Sequence, residues 1–278
     1  MLPELTYAQF FLLSSLGLSV GIIGAIVGVG GGFLLVPALL FIFPDASPAA
    51  ITSISLTAVF FNALSASIGY RIRGNQDFRT ALLLIVTAAP AAIFGAFINQ
   101  QTGRGPFEII FGFALIFGAA YLLVRSLLEN SSHKIALKGK NRTILQRDGR
   151  SYVYKVNEPL AAGVAPFAGF VAGFFGIGGG IINVPFMLIV LRMPANVAVA
   201  TSQLELTVAS AAALLVHLSS GLDDPNQWTM AGVVGLGTLI GAQIGVRIAP
   251  KVGGRLVLSI IGLGLLIAGT RLLATSLF

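Results

Sequence analysis

Two glycine clusters carry the least ordinary chemistry in this chain: Gly28-Val-Gly-Gly-Gly-Phe-Leu-Leu-Val-Pro37 and Gly176-Ile-Gly-Gly-Gly-Ile-Ile-Asn-Val-Pro185. Three consecutive glycines inside an apolar run weaken or interrupt a helix, and they leave backbone N–H groups with no side chain in front of them. At membrane depth such groups are tolerated only where protein or a polar cavity gives them partners. The short helix that follows, ending near Pro37 or Pro185, would aim N–H groups and the positive end of its dipole at whatever fills that cavity. Gly30, Gly31 and Gly32, with Gly178, Gly179 and Gly180, are therefore candidate ligands of a small anion. The competing reading is close helix packing, the use to which Gly24-x-x-x-Gly28 and Gly241-x-x-x-Gly245 are suited. A dinucleotide fingerprint is rejected, because Phe33 stands where its last glycine belongs and a membrane-length run precedes the cluster.

Behind each cluster comes a segment that opens with hydroxyls. Thr52, Ser55 and Asn62 share one helical stripe, and Thr201, Ser202 and Glu205 share another. Thr52, Ser53, Asn62, Asn183, Thr201, Ser202 and Gln203 are the side chains expected to assist the glycines in holding an anion. Glu205 lies about 14 Å along its helix from Asn196 at 1.5 Å per residue, near mid-depth. An ionisable group there is costly and is a functional candidate by default, here as a proton carrier. The alternative is a structural carboxyl bonded to Gln203, Gln243 or the backbone. Arg192 either steers anions or anchors on lipid headgroups, and His217 reads as interfacial. With no cysteine and two histidines, His133 and His217, neither a metal centre nor a thiol enzyme is expected. No H-E-x-x-H, Walker A or defensible Ser–His pairing is present, so neither an enzyme nor a cofactor is expected.

The elements that must position these residues are membrane helices. Of 278 residues, 56% are hydrophobic and 10% charged, and the mean hydropathy is +0.92. Soluble domains carry about a quarter charged residues. Leu5 to Pro44 is 40 residues without an acidic or basic side chain, and Pro159 to Leu191 is 33, beyond the ~20 that one span needs. The N-terminus lacks a cationic region and cleavage site and reads as a retained segment rather than a signal peptide. Uncharged runs predict segments at roughly 8–29, 31–43, 47–69, 79–99 and 107–128, then 160–176, 178–191, 196–220, 229–249 and 255–277. The expected fold is an all-α polytopic membrane protein of 8–10 transmembrane segments, the second in each set short or re-entrant.

The two sets are related. The glycine motifs match at a shift of 148, and Pro48-Ala49 recurs as Pro194-Ala195, Thr52-Ser53 as Thr201-Ser202, and Gly95-Ala96 as Gly241-Ala242. Residues 1–128 and 159–278 therefore read as two membrane repeats joined by a basic linker, 129–158. That linker holds Lys134, Lys138, Lys140, Arg142, Arg147, Arg150 and Lys155, and it includes a possible β-hairpin about Asp148-Gly149. Lys and Arg collect in short cytoplasmic loops, which places the linker inside and both termini outside. Fifteen of the 17 basic residues then fall inside, with Arg104 and Arg271 outside. Equivalent loops face opposite sides, so the repeats are inverted in topology, an architecture of many secondary transporters. The net charge of +7 is read as topology and attraction to lipid headgroups, with no nucleic-acid partner.

The doubled Gly-x-Gly-Gly-Gly-x-x-x-Val-Pro, followed by Thr52-Ser53 and Thr201-Ser202, resembles the TauE/SafE sulfite exporter family, the TSUP permeases, over nearly the whole chain. The resemblance implies a multi-pass transporter in the cell (cytoplasmic) membrane for small sulfur-containing anions such as sulfite, sulfoacetate or organosulfonates. Protons are a possible coupling ion. An importer of another organic anion and a non-transporting scaffold or receptor are the alternatives.

Overall fold

The structure, a computed structural model, describes residues 6–128, 139–147, 149–219, 224–252 and 254–277. Lys134 and Lys138 of the linker, Asp148 of the Asp-Gly pair and Asp223 lie outside the described residues. Within them the chain forms ten helices and one hairpin: α1 (Tyr7–Val27), α2 (Gly32–Ile42), α3 (Pro48–Arg73), α4 (Phe78–Gln100), α5 (Arg104–Leu128), β1 (Lys140–Leu145), β2 (Ser151–Val156), α6 (Glu158–Phe175), α7 (Gly180–Pro185), α8 (Ala195–Ser219), α9 (Pro225–Ile248) and α10 (Gly254–Leu277). Helix starts are set by local chemistry. Ser47, Asp77 and Asn157 cap α3, α4 and α6 by accepting from the backbone N–H three residues on.

Among the described residues six helices, α1, α3, α4, α6, α8 and α9, are long and apolar enough to cross a bilayer. α2 has 11 residues. α7 has six and continues as a five-residue π turn, Phe186–Val190. Eleven residues reach about 16 Å, roughly half of a ~30 Å hydrocarbon core.

The helices pair across the chain. Gly17 and Gly21 of α1 abut the backbone at Val234 and Thr238 of α9, and a Cβ on Gly21 would stand 2.6 Å from the Thr238 Cα. Gly169 and Gly173 of α6 abut Ala88 and Ala92 of α4 in the same manner. Both pairs run parallel, whereas α5 and α10 run antiparallel, with Gly112 against Leu273 and Gly262 against Leu123. Glycine-mediated packing thus accounts for Gly241 and Gly245, which face Leu18, Ile22 and Ala25 of α1. α3 also runs parallel to α9, since Ser53 meets Gln227, Ala58 meets Thr238 and Ser65 meets Gln243. With α1 and α3 pointing the same way, α2 returns the chain to the end where α1 began. α8 runs parallel to α4, with Thr201 at Asp77 and Val216 at Gln100, so α7 and its π turn do the same between α6 and α8.

β1 and β2 pair antiparallel from Lys140↔Val156 to Leu145↔Ser151. The ribbon turns Tyr154 and Val156 inward, where the Tyr154 hydroxyl donates to Asp77 Oδ2 at 2.8 Å. Arg142 Nε stands 3.8 Å from the same oxygen. Burial, and then the Asp77 carboxylate, push the Tyr154 phenol well above its ordinary value.

Candidate functional site

The two glycine loops cross one another inside the bundle. α1 ends on Gly28, and α6 ends on Gly176, both in left-handed conformation. Beyond them Gly30 and Gly178 adopt φ of 77° and 79°, a region that side chains resist. A Cβ on Gly30 would meet Val59 of α3 and Leu206 of α8, and one on Gly178 would meet the same two residues. Val59 and Leu206 stand near the middle of α3 and α8, so the crossing lies at mid-depth. There Gly32 abuts Ile177, with 2.7 Å between an added Cβ and its Cα, and Gly180 abuts the Gly28 carbonyl.

The carbonyls at this crossing are satisfied by side chains. Ser55 donates to the Gly176 oxygen at 2.7 Å, and Ser202 donates to the Gly28 oxygen at 2.9 Å. Gln203 Nε2 donates to the Gly24 oxygen at 2.9 Å. Thr52 Oγ1 bonds Asn99 Oδ1 at 3.0 Å, and Asn99 Nδ2 donates to the Phe174 oxygen at 2.8 Å.

The donors are different. At the start of α2 the N–H groups of Gly31, Gly32 and Phe33 find no partner among the described residues, and at the start of α7 the same holds for Gly179, Gly180 and Ile181. Both stretches are buried. A buried backbone N–H is normally paired, so these six donors are candidates for an acceptor. Asn183 and Glu205 lie beside them, fully buried, with their side chains next to one another, and neither bonds any other group among the described residues. An added Cβ on Gly179 would stand 3.4 Å from Glu205 Oε1 and 3.5 Å from Asn183 Nδ2. The three therefore share one small space.

Of the residues expected from sequence, Gly30–Gly32, Gly178–Gly180, Thr52, Asn183, Ser202, Gln203 and Glu205 come together at or beside the crossing. Asn62 sits farther along α3, where its Nδ2 donates to the Gly21 oxygen at 2.8 Å and its Oδ1 is unpartnered. Ser53 and Thr201 serve helix starts instead: Ser53 accepts from Gln227 of α9, and Thr201 accepts from the Asp77 N–H at 3.1 Å. Glu205 bonds neither Gln203 nor Gln243, because Gln203 serves α1 and Gln243 donates to Ser65. His217 lies in the last turn of α8, where it is 3% exposed and packed against neighbouring helices. Arg192 is exposed, with φ of 51° in the turn before α8. Ser55 and Asn99 join this network without being among the ligands expected from sequence. Ser55 lay on the Thr52 stripe, but nothing in the sequence distinguished Asn99 from a helix-end asparagine. Among the described residues no group of three or more His, Cys, Asp or Glu comes together.

Comparisons with known proteins agree on a class. The family model described as sulfite exporter TauE/SafE matches residues 13–272. The "Probable membrane transporter protein YunE" of Bacillus subtilis is 28% identical over 97% of this chain and 99% of its own length. The "Probable membrane transporter protein MJ0441" of Methanocaldococcus jannaschii is 28% identical over 86% of this chain and 88% of its own. A "Probable membrane transporter protein" of Xylella fastidiosa is 27% identical over 84% and 82%. No solved structure matches. With six helices able to span a bilayer and a family match over most of its length, the chain is a multi-pass membrane protein that belongs to the TauE/SafE sulfite exporter family, a family of membrane transporters and not of enzymes.

Proposed function

We propose that the protein is a secondary transporter of a small sulfur-containing oxyanion such as sulfite, held between its two halves and exposed to each side in turn. The observation that carries this reading is the pair of buried helix starts, α2 and α7, with unpaired N–H groups of Gly31, Gly32, Phe33, Gly179, Gly180 and Ile181. A compact oxyanion supplies acceptors in several directions, and two helix N-termini give it dipole stabilisation without a fixed cation. Ser55 and Ser202 occupy the loop carbonyls of Gly176 and Gly28. Asn183 then orients the anion as donor, and Glu205 carries the coupled proton.

The inverted repeat is part of this reading. α1 packs on α9 as α6 packs on α4, and Ser55 reaches Gly176 as Ser202 reaches Gly28. Such reciprocity supports two related halves exchanging partners across a pseudo-two-fold axis. Alternating access follows if the α2 and α7 returns rock about the crossing, closing one mouth as the other opens. With the linker inside, the basic loops 70–79 and 247–255 share its side.

The test is flux of radiolabelled sulfite into proteoliposomes, with and without a pH gradient, against a panel of unlabelled anions. Saturable uptake, competed by sulfur oxyanions and driven by the gradient, is expected. Absence of flux for every sulfur anion, from protein shown to be folded, overturns the reading.

A further inference from the structure

The two short helices are supported unequally. α2 packs on α10, where Gly264 makes room for Phe33 and Leu34. Arg104 clamps its end by donating to the carbonyls of Leu40, Phe43 and Ala46 at 2.9, 3.2 and 2.8 Å. α7 passes after six residues into the π turn. Proline does not explain the change, since Pro37 stands inside α2 and that helix stays α-helical to Ile42. Where α7 would need a packing partner, between α5 and α6, lies a groove of about 390 Å³ lined by apolar residues alone. Its inner wall is Ile181, Ile182 and Pro185, which directly follow the second glycine cluster.

We propose that this groove is an acyl-chain site, in which one phospholipid tail lies between α5 and α6 and packs against the back of α7. The groove is continuous with the lipid-facing surface of a membrane protein: Phe117 and Phe167 at its mouth are 79% and 63% exposed. Water is a poor occupant, because a buried water needs two to four polar partners and every side chain of the lining is apolar. A void of this size along a helix also forfeits the dispersion contacts that close packing supplies. Acyl tails are apolar, flexible and already concentrated at the mouth. The bound tail braces the helix that presents Gly179 and Gly180, and the inference holds whatever anion the protein carries.

The experiment uses the full chain in phosphatidylcholine vesicles doped with a lipid bearing a mid-chain diazirine, followed by irradiation and mapping of adducts. Adducts are expected on Ile181, Ile182 and Phe186 as well as on the outward Phe113 and Phe117. Ala114→Trp, a plug at an exposed groove position, should lower the inner adducts about tenfold, the effect of ~1.4 kcal/mol of lost binding. The outward adducts should not change. Gly118→Leu is the second plug, since an added Cβ there meets only Leu265 at 3.4 Å. Adducts confined to outward residues, cross-links to a second copy through the groove, or inner adducts unchanged by a folded plug variant would each overturn the proposal.

Discussion

At the residue scale, adjacent glycines of one cluster have opposite steric positions. Gly179 has ordinary right-handed backbone, and an added Cβ finds only van der Waals neighbours, Glu205 and Asn183 among them. Gly180 is pressed on the Gly28 carbonyl and on Val29. Gly179→Ala should therefore keep the fold but place a methyl where the anion sits, lowering sulfite flux about tenfold or more, equivalent to 1.4 kcal/mol, with little change in melting temperature. Gly180→Ala should cost roughly 1–3 kcal/mol by overpacking, seen as a lower melting temperature before any flux is measured. Equal melting temperatures for the two would contradict the crossing geometry. Glu205→Gln separates binding from coupling: anion binding by calorimetry should persist while the gradient dependence of flux disappears, and retained dependence removes Glu205 from the mechanism. Much of this was legible in the sequence, because glycine triplets and a mid-helix carboxyl are conspicuous in an apolar chain. The pairing was less so. Matching Thr52-Ser53 to Thr201-Ser202 uses a shift of 149, yet the reciprocal bonds pair Ser55 with Ser202 at 147. At that shift the position matching Glu205 is Ala58, so only one of the two stripes carries a carboxyl.

At the scale of elements, the length of each uncharged run forecast ten segments, and the ten helices follow them within a few residues. Shortness of the second run in each half was visible too, since a glycine cluster and a proline bracket it. The docking of the hairpin was not. Alternating burial of β2 turns Tyr154 and Val156 onto the starts of α4 and α6, but only the folded chain brings Tyr154 to Asp77, 77 residues away. Asp77 already caps α4 through Thr80, so the hairpin is fastened to a helix cap rather than to a loop. Tyr154→Phe removes one donor and should loosen the ribbon by about 0.5–1.5 kcal/mol, measured as faster amide exchange across residues 140–145. The pH dependence has a definite sign. Because burial and Asp77 raise the folded phenol above its unfolded value of ~10, the contribution is fully present below pH ~10 and is lost as pH rises beyond it. Exchange attributable to Tyr154 should therefore be flat from about pH 6 to 9 once intrinsic rates are corrected. A Tyr154-dependent change within that window would show that the hydrogen bond does not govern docking.

For the whole molecule, exchange of partners between the halves makes orientation a property of the entire bundle. α1 and α9 run parallel, α4 and α6 run parallel, and α5 and α10 run antiparallel. Those directions are what the proposed inverted repeat requires, because each parallel pair joins the first helix of one half to the fourth of the other. A direct repeat would give both halves the same sense. The distribution of Lys and Arg supports the same proposed arrangement by an independent route, a rule about loops and not about packing. The absence of cysteine allows a clean test with single-cysteine variants at four exposed positions, Asp45, Gln101, Lys155 and Lys251. In intact cells an impermeant maleimide should label Asp45→Cys and Gln101→Cys, whereas Lys155→Cys and Lys251→Cys should react only after permeabilisation. Gln101 and Lys251 form the critical pair, since each follows the fourth helix of its half. Labelling of both from one side would place the halves in the same orientation and remove the two-fold axis on which the proposed alternating-access site, at the starts of α2 and α7, depends.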